Sequence, residues 1–133
     1  MKPSLPVACL LALVACSDST RPTEAELVGC HVLAASELTN GAPARSALVR
    51  VTSEDVRVLG DVSQATTAGY DRGTWSLEDG QELRLWFGGG FVGVTYTFTA
   101  FHGGAWFGDV EFWVDTPTLN GSGTAKLTRV RCP

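Results

Sequence analysis

Asp109 and Glu111 alternate along Gly108-Asp109-Val110-Glu111-Phe112, so on an extended strand both carboxylates leave one face. A pair at that spacing could bind a divalent cation or divide the acid and base roles of glycoside hydrolysis. No third ligand accompanies it, and its expected strand partners are Thr97 and Thr95, so a solvated face is the reading. The two histidines are His31, beside Cys30, and His102, in a glycine turn; neither has a neighbouring nucleophile that would mark it as a general base. Gly88-Gly89-Gly90-Phe91-Val92-Gly93 has the glycine spacing of a phosphate loop. Such loops work through the N-terminus of a following helix, whereas Val94-Thr95-Tyr96-Thr97-Phe98-Thr99 alternates as a strand. The expectation is therefore no catalytic residue, no metal and no cofactor.

The candidate that remains is aromatic, and it depends on strand register. From Leu27 onward no stretch keeps apolar positions at helical spacing, and short runs rich in Val, Thr, Phe, Trp and Tyr are punctuated by Gly, Asp and Asn. Strands are expected near Val28 to Ser36, Ser46 to Thr52, Asp55 to Leu59, Gly73 to Glu78, Glu82 to Phe87, Phe91 to Phe101, Ala105 to Asp115 and Gly123 to Cys132. Asp79-Gly80, Gly88-Gly89-Gly90, His102-Gly103-Gly104 and Asn120-Gly121 supply turns, and 60–71 reads as a longer loop. Matching apolar to apolar residues across a three-residue turn pairs Phe98 with Gly108, Tyr96 with Val110 and Val94 with Phe112. A four-residue loop from Gly88 to Phe91 pairs Phe87 with Val92, Leu85 with Val94 and Leu83 with Tyr96. On the opposite face these registers align Arg84, Thr95 and Glu111 in one row and Trp86, Gly93 and Trp113 in the next. Two tryptophans over a glycine floor would stand about 9 to 10 Å apart, room for one flat ring, with Arg84 and Glu111 as a polar rim. The competing reading is packing alone: an aromatic ring lying across a glycine, beside a solvated ion pair.

The composition excludes other classes. The chain has 133 residues, 44% of them hydrophobic and 18% charged, enough for one domain with a core and too short for a multidomain enzyme. Lys and Arg number 10 against 14 Asp and Glu, a net charge of −4, so nucleic acid is not the expected partner.

The N-terminus carries an address. Lys2 precedes an apolar run from Leu5 to Ala15, too short to span about 30 Å of hydrocarbon and shaped like an export signal. Leu13-Val14-Ala15-Cys16 resembles the lipobox of bacterial lipoproteins. That resemblance implies cleavage after residue 15, a lipid on Cys16 as the membrane anchor, and a polar tether over 16–26 that holds a domain of 27–133 off the bilayer. Ser17, rather than an acidic residue, follows the cysteine and implies sorting to the outer membrane on its periplasmic side. Export to an oxidising compartment makes Cys30 and Cys132 a disulfide, which brings the first and last strands together.

About eight strands with stapled ends suggest a closed up-and-down barrel; a two-sheet sandwich fits the same strand count. Gly29-Cys30-His31 and Gly73-Thr74-Trp75 resemble the Gly-x-aromatic strand patterns of small lipocalin-like bacterial lipoproteins, with His31 where an aromatic is expected. The expected function is a non-enzymatic, lipid-anchored envelope barrel that binds a small molecule or glycan. The alternative is a structural or protein-interaction module of the envelope, an assembly factor or an inhibitor of a secreted enzyme, acting through loops such as 60–71.

Overall fold

The computed structural model describes residues 20–60, 67–115 and 119–133. Cys16, the segment before it and the first part of the tether lie outside the described residues, as does 61–66 of the expected long loop. A one-turn helix α1 (Glu24–Leu27) precedes β1 (Gly29–Ala35), β2 (Arg45–Val51), β3 (Val56–Leu59), β4 (Arg72–Glu78), β5 (Glu82–Gly88), β6 (Val92–His102), β7 (Ala105–Val114) and β8 (Leu119–Val130). Each strand pairs antiparallel with the next, and β1 also pairs with β8, so the meander closes into an eight-stranded barrel. Closure removes the sandwich alternative. Cys30 and Cys132 are disulfide-bonded across that seam, their Cα atoms 5.1 Å apart and 102 residues apart in sequence.

Alternation sends Leu33, Val49, Leu85, Phe87, Val94, Tyr96, Phe98 and Val110 inward, all fully buried. Tyr96 stacks on Phe98 and meets Phe87 edge-on, with ring centroids 6.2 and 6.4 Å apart, so aromatic side chains fill the middle of the barrel.

Three local features depart from expectation. Gly103 and Gly104, both at positive φ, form a two-residue turn with His102 opposite Ala105, where a three-residue turn was expected. A bulge between Phe98 and Ala100 restores the register, so the expected pairs of Phe98, Tyr96 and Val94 hold. Between β5 and β6 the register is two residues away from the expected one: Phe87 faces Val94, Leu85 faces Tyr96 and Gly88 faces Gly93. Asn120-Gly121 is not a turn; it lies inside β8, where Gly121 fits against the side chain of Asn40.

The expected tether also ends early. Thr23 accepts a hydrogen bond from the Glu26 amide, and Glu26 Oε1 accepts one from the Thr23 amide at 3.0 Å. This capping box starts the single turn of α1 and delivers Leu27, 1% exposed, as a plug in that end of the barrel. Gly29, at φ +137°, turns the chain into β1 and lets the Arg129 guanidinium lie where a Cβ would stand. Arg129 Nη1 donates to the Glu26 carbonyl and Nη2 to the Val28 carbonyl at 3.1 Å, clamping the segment as a strap.

Candidate functional site

The outward face of β5 to β7 carries the residues that sequence reasoning singled out, in a different arrangement. The two-residue register difference puts Trp86 in a row with Thr95 and Glu111, Arg84 in a row with Thr97 and Asp109, and Trp113 in a row with Gly93 and Gly88. Trp86 reaches diagonally across the ladder, so a Cβ at Gly93 would come within 2.2 Å of its ring and one at Gly88 within 2.8 Å. The glycine floor is thus covered by Trp86 itself. Arg84 pairs with Glu82 at 2.6 Å instead of forming a rim with Glu111.

A shallow depression of about 280 Å³ flanks Trp86, between Asp55, Arg72 and Gly88. Its charged groups are engaged: Asp55 Oδ1 accepts from Thr52 Oγ1 at 2.7 Å, and Arg57 and Arg72 lie 3.1 and 3.5 Å from Asp55 Oδ2. The Thr52 hydroxyl, helped by the two guanidiniums, holds the Asp55 carboxyl below the usual carboxylate range. Asp109 and Glu111 share a wider depression, about 520 Å³, with Thr97 and Ser122. Among the described residues, no group of three or more His, Cys, Asp or Glu gathers into a metal-binding cluster.

The other candidate lies at the strap end of the barrel. A cleft of about 300 Å³ opens between Pro22, Glu26 and Leu27 of the strap, His31 of β1, the β6–β7 hairpin, and Leu127 and Arg129 of β8. The bulge after Phe98 builds one of its walls. Strict alternation would send Phe101 outward with Thr97, but the extra residue turns it inward opposite Trp106, with ring centroids 5.3 Å apart. At the bulge the Thr99 carbonyl accepts from Arg21 Nη2 at 3.0 Å, which ties the start of the strap to the hairpin.

The hydrogen bonding at this end is incomplete. Among the described residues, the buried side-chain polar atoms without a partner are His31 Nδ1, Trp106 Nε1 and Arg21 Nε. His31 and Trp106 are 3% and 2% exposed and both line the cleft. Trp75 provides the contrast, since its Nε1 donates to the Thr52 carbonyl at 2.8 Å. An unsatisfied buried polar atom costs about 1 to 3 kcal/mol, so two on residues lining one cavity mark a place where a bound molecule gains affinity.

Burial, followed by the nearby Arg129 charge, lowers His31 to about 4 against the smaller opposing pull of the Gly29 carbonyl. The ring is therefore neutral at neutral pH and offers one N–H and one lone pair. Glu26 lies below the usual carboxylate range because the Thr23 amide and hydroxyl both hydrogen-bond to it. Trp106 can only donate, and Leu27, Phe101 and Leu127 supply apolar wall. The arrangement suits a small molecule with an apolar body and a hydrogen-bonding end, and it holds no nucleophile with an adjacent base.

Sequence reasoning missed this cleft. His31 on the inner face of β1 was visible from the alternation His31, Leu33, Ala35, but nothing in the sequence announces the bulge that brings Phe101 to Trp106. His102, the other histidine, stacks on Phe107 outside the barrel, with centroids 4.3 Å apart. Comparison with protein-family models, curated proteins and solved structures gives no match for this chain.

Proposed function

We propose that this protein is a lipid-anchored, non-catalytic binding protein of the bacterial envelope, held to the membrane through Cys16, and that it takes a small molecule in the strap cleft. The observation that carries this reading is the pair of buried, unpartnered ring nitrogens, His31 Nδ1 and Trp106 Nε1, on the wall of one 300 Å³ cavity. Ligand sites are concave, largely apolar, and furnished with a few such polar groups. The anchoring half of the proposal rests on the lipobox-like residues 13–16. Radiolabelled palmitate fed to producing cells should mark the protein and fail to mark a Cys16→Ser variant.

Tryptophan fluorescence of the full chain in lipid nanodiscs, titrated with glycans, aromatic metabolites and fatty acids, tests the binding half. A saturable change that Trp106→Phe removes and Trp86→Ala retains supports the cleft. The reverse pattern moves the site to the outer tryptophan face. Silence across the panel favours the second reading, an interaction module. That reading has its own observation: at the end opposite the strap, Phe91 is 73% exposed, Leu119 47% and Tyr70 38%, with Tyr70 against the β5–β6 turn that carries Phe91. Large apolar side chains grouped at one end are what a protein partner would cover.

A further inference from the structure

We infer that the strap end of the barrel is the face turned to the membrane, with the bilayer surface lying over the mouth of the cleft; the inference rests on the lipid anchor at Cys16 proposed above. Chain length carries it. Thr20 lies four residues after Cys16, a separation that reaches about 14 Å at full extension. From there the chain is fastened to the barrel. Arg21 Nη2 donates to the Thr99 carbonyl at 3.0 Å, Pro22 lines the cleft, and Arg129 donates to the carbonyls of Glu26 and Val28. The anchor therefore meets the fold at the mouth of the cleft.

The height of the barrel excludes the inverted placement. β6 has 11 residues, which at the usual strand tilt rise about 26 Å along the barrel axis. With the Phe91 end on the bilayer, the strap would stand about that far above it, beyond the reach of the tether. An apolar side chain is exposed at the strap end as well, Val28 at 40%. Charge does not do the orienting: Arg21, Arg129 and Arg131 are offset by Glu24 and Glu26 on the strap and by Glu54 and Asp79 at neighbouring hairpin tips, so no positive surplus draws this end to anionic lipid. The tether sets the orientation. A ligand of the cleft then enters from the headgroup layer, and the exposed Phe91 end points away from the membrane.

The two tryptophans of β7 serve as a ruler, Trp106 near the strap end and Trp113 near the other, about 18 Å apart along the barrel axis. The test places the lipidated chain in phosphatidylcholine nanodiscs that carry a small share of gadolinium-chelate headgroups. It reads the paramagnetic relaxation of the two indole N–H resonances, assigned by their loss in Trp106→Phe and Trp113→Phe. That relaxation falls with the sixth power of distance, so Trp106 should relax at least about tenfold faster than Trp113. Equal rates, or a faster rate at Trp113, would overturn the inference while leaving the anchor in place. If the chain does not travel with the nanodiscs on gel filtration, the anchor reading falls and the inference falls with it. A Gly/Ser insert of about twenty residues after Ser17 lengthens the tether to a mean reach of about 27 Å and should bring the two rates within about threefold of each other. A tenfold difference that survives the insert would overturn the tether as the cause of the orientation.

Discussion

At the outer face Trp86 lays its ring over Gly88 and Gly93, and the polar groups beside it are bound to one another; at the strap end Trp106 stands against Phe101 with its Nε1 unpaired. Both regions place a tryptophan beside a β-hairpin and a positive side chain. The first has tied its charged groups to one another within the chain, and the second has kept buried polar atoms open beside its cavity. Aromatic residues on a sheet therefore do not identify a site by type. What separates the two is whether the buried polar atoms around the ring have partners, and among the described residues those left without one are at the strap end.

The contrast can be broken at the strap. Leu27→Ala removes the side chain that plugs the barrel end and should cost about 3 kcal/mol, read as a lower urea midpoint with unchanged slope. A loss below 1 kcal/mol would mean that the strap does not belong to the folded unit. Acid offers the next largest effect. His31 sits at about 4 when folded and near 6.5 when unfolded, so below 6.5 the unfolded chain binds the proton first. Its contribution is whole above that pH, declines as pH falls from 6.5 to 4, and then levels off. The open side of the cleft tempers the loss to about 2 kcal/mol. Urea midpoints at pH 7 and pH 4.5 should differ in the native protein and differ less in His31→Gln.

On the tryptophan face, Gly93→Ala drives a methyl group into the Trp86 ring and should cost about 1.5 kcal/mol, with a shift in tryptophan emission as the ring is displaced toward water. If emission and stability both stay put, Trp86 is not held on the glycine floor. Thr23→Ala removes the helix cap and should cost about 1 kcal/mol, while also raising hydrogen exchange at the Glu26 amide. Arg84→Gln breaks only the exposed pair with Glu82 and should change stability by less than about 0.5 kcal/mol. A larger loss there would restore Arg84 to a role on the outer face.

Much of the fold was legible. The alternation of Val94, Tyr96 and Phe98 with Thr95, Thr97 and Thr99 separates core from surface, and the structure buries those three residues completely. The same alternation explains why the outer row was misjudged. Moving β5 by two residues against β6 leaves every side chain on its own face, so burial cannot distinguish the two registers. The choice falls to the fit of Trp86 over Gly88 and Gly93, which no pattern of polar and apolar residues encodes. The cleft was hidden for a related reason. A bulge between Phe98 and Ala100 costs one residue of periodicity, and its effect, Phe101 turning inward, contradicts the alternation that served elsewhere.

The residues by themselves determined an all-β chain with a polar and an apolar side to each central strand, a cysteine pair at its two ends, and an export-like N-terminus. These are local or pairwise properties, set by the period of two along a strand and by the chemistry of thiols. Tertiary structure alone decided that Arg129 pins the segment before Gly29 across one mouth of the closed barrel, and that His31 and Trp106 are left lining a cavity there. Each of those outcomes depends on groups about a hundred residues apart in sequence, as Glu26 and Arg129 are, competing for the same space and the same hydrogen bonds. That competition exists only once the chain has closed on itself.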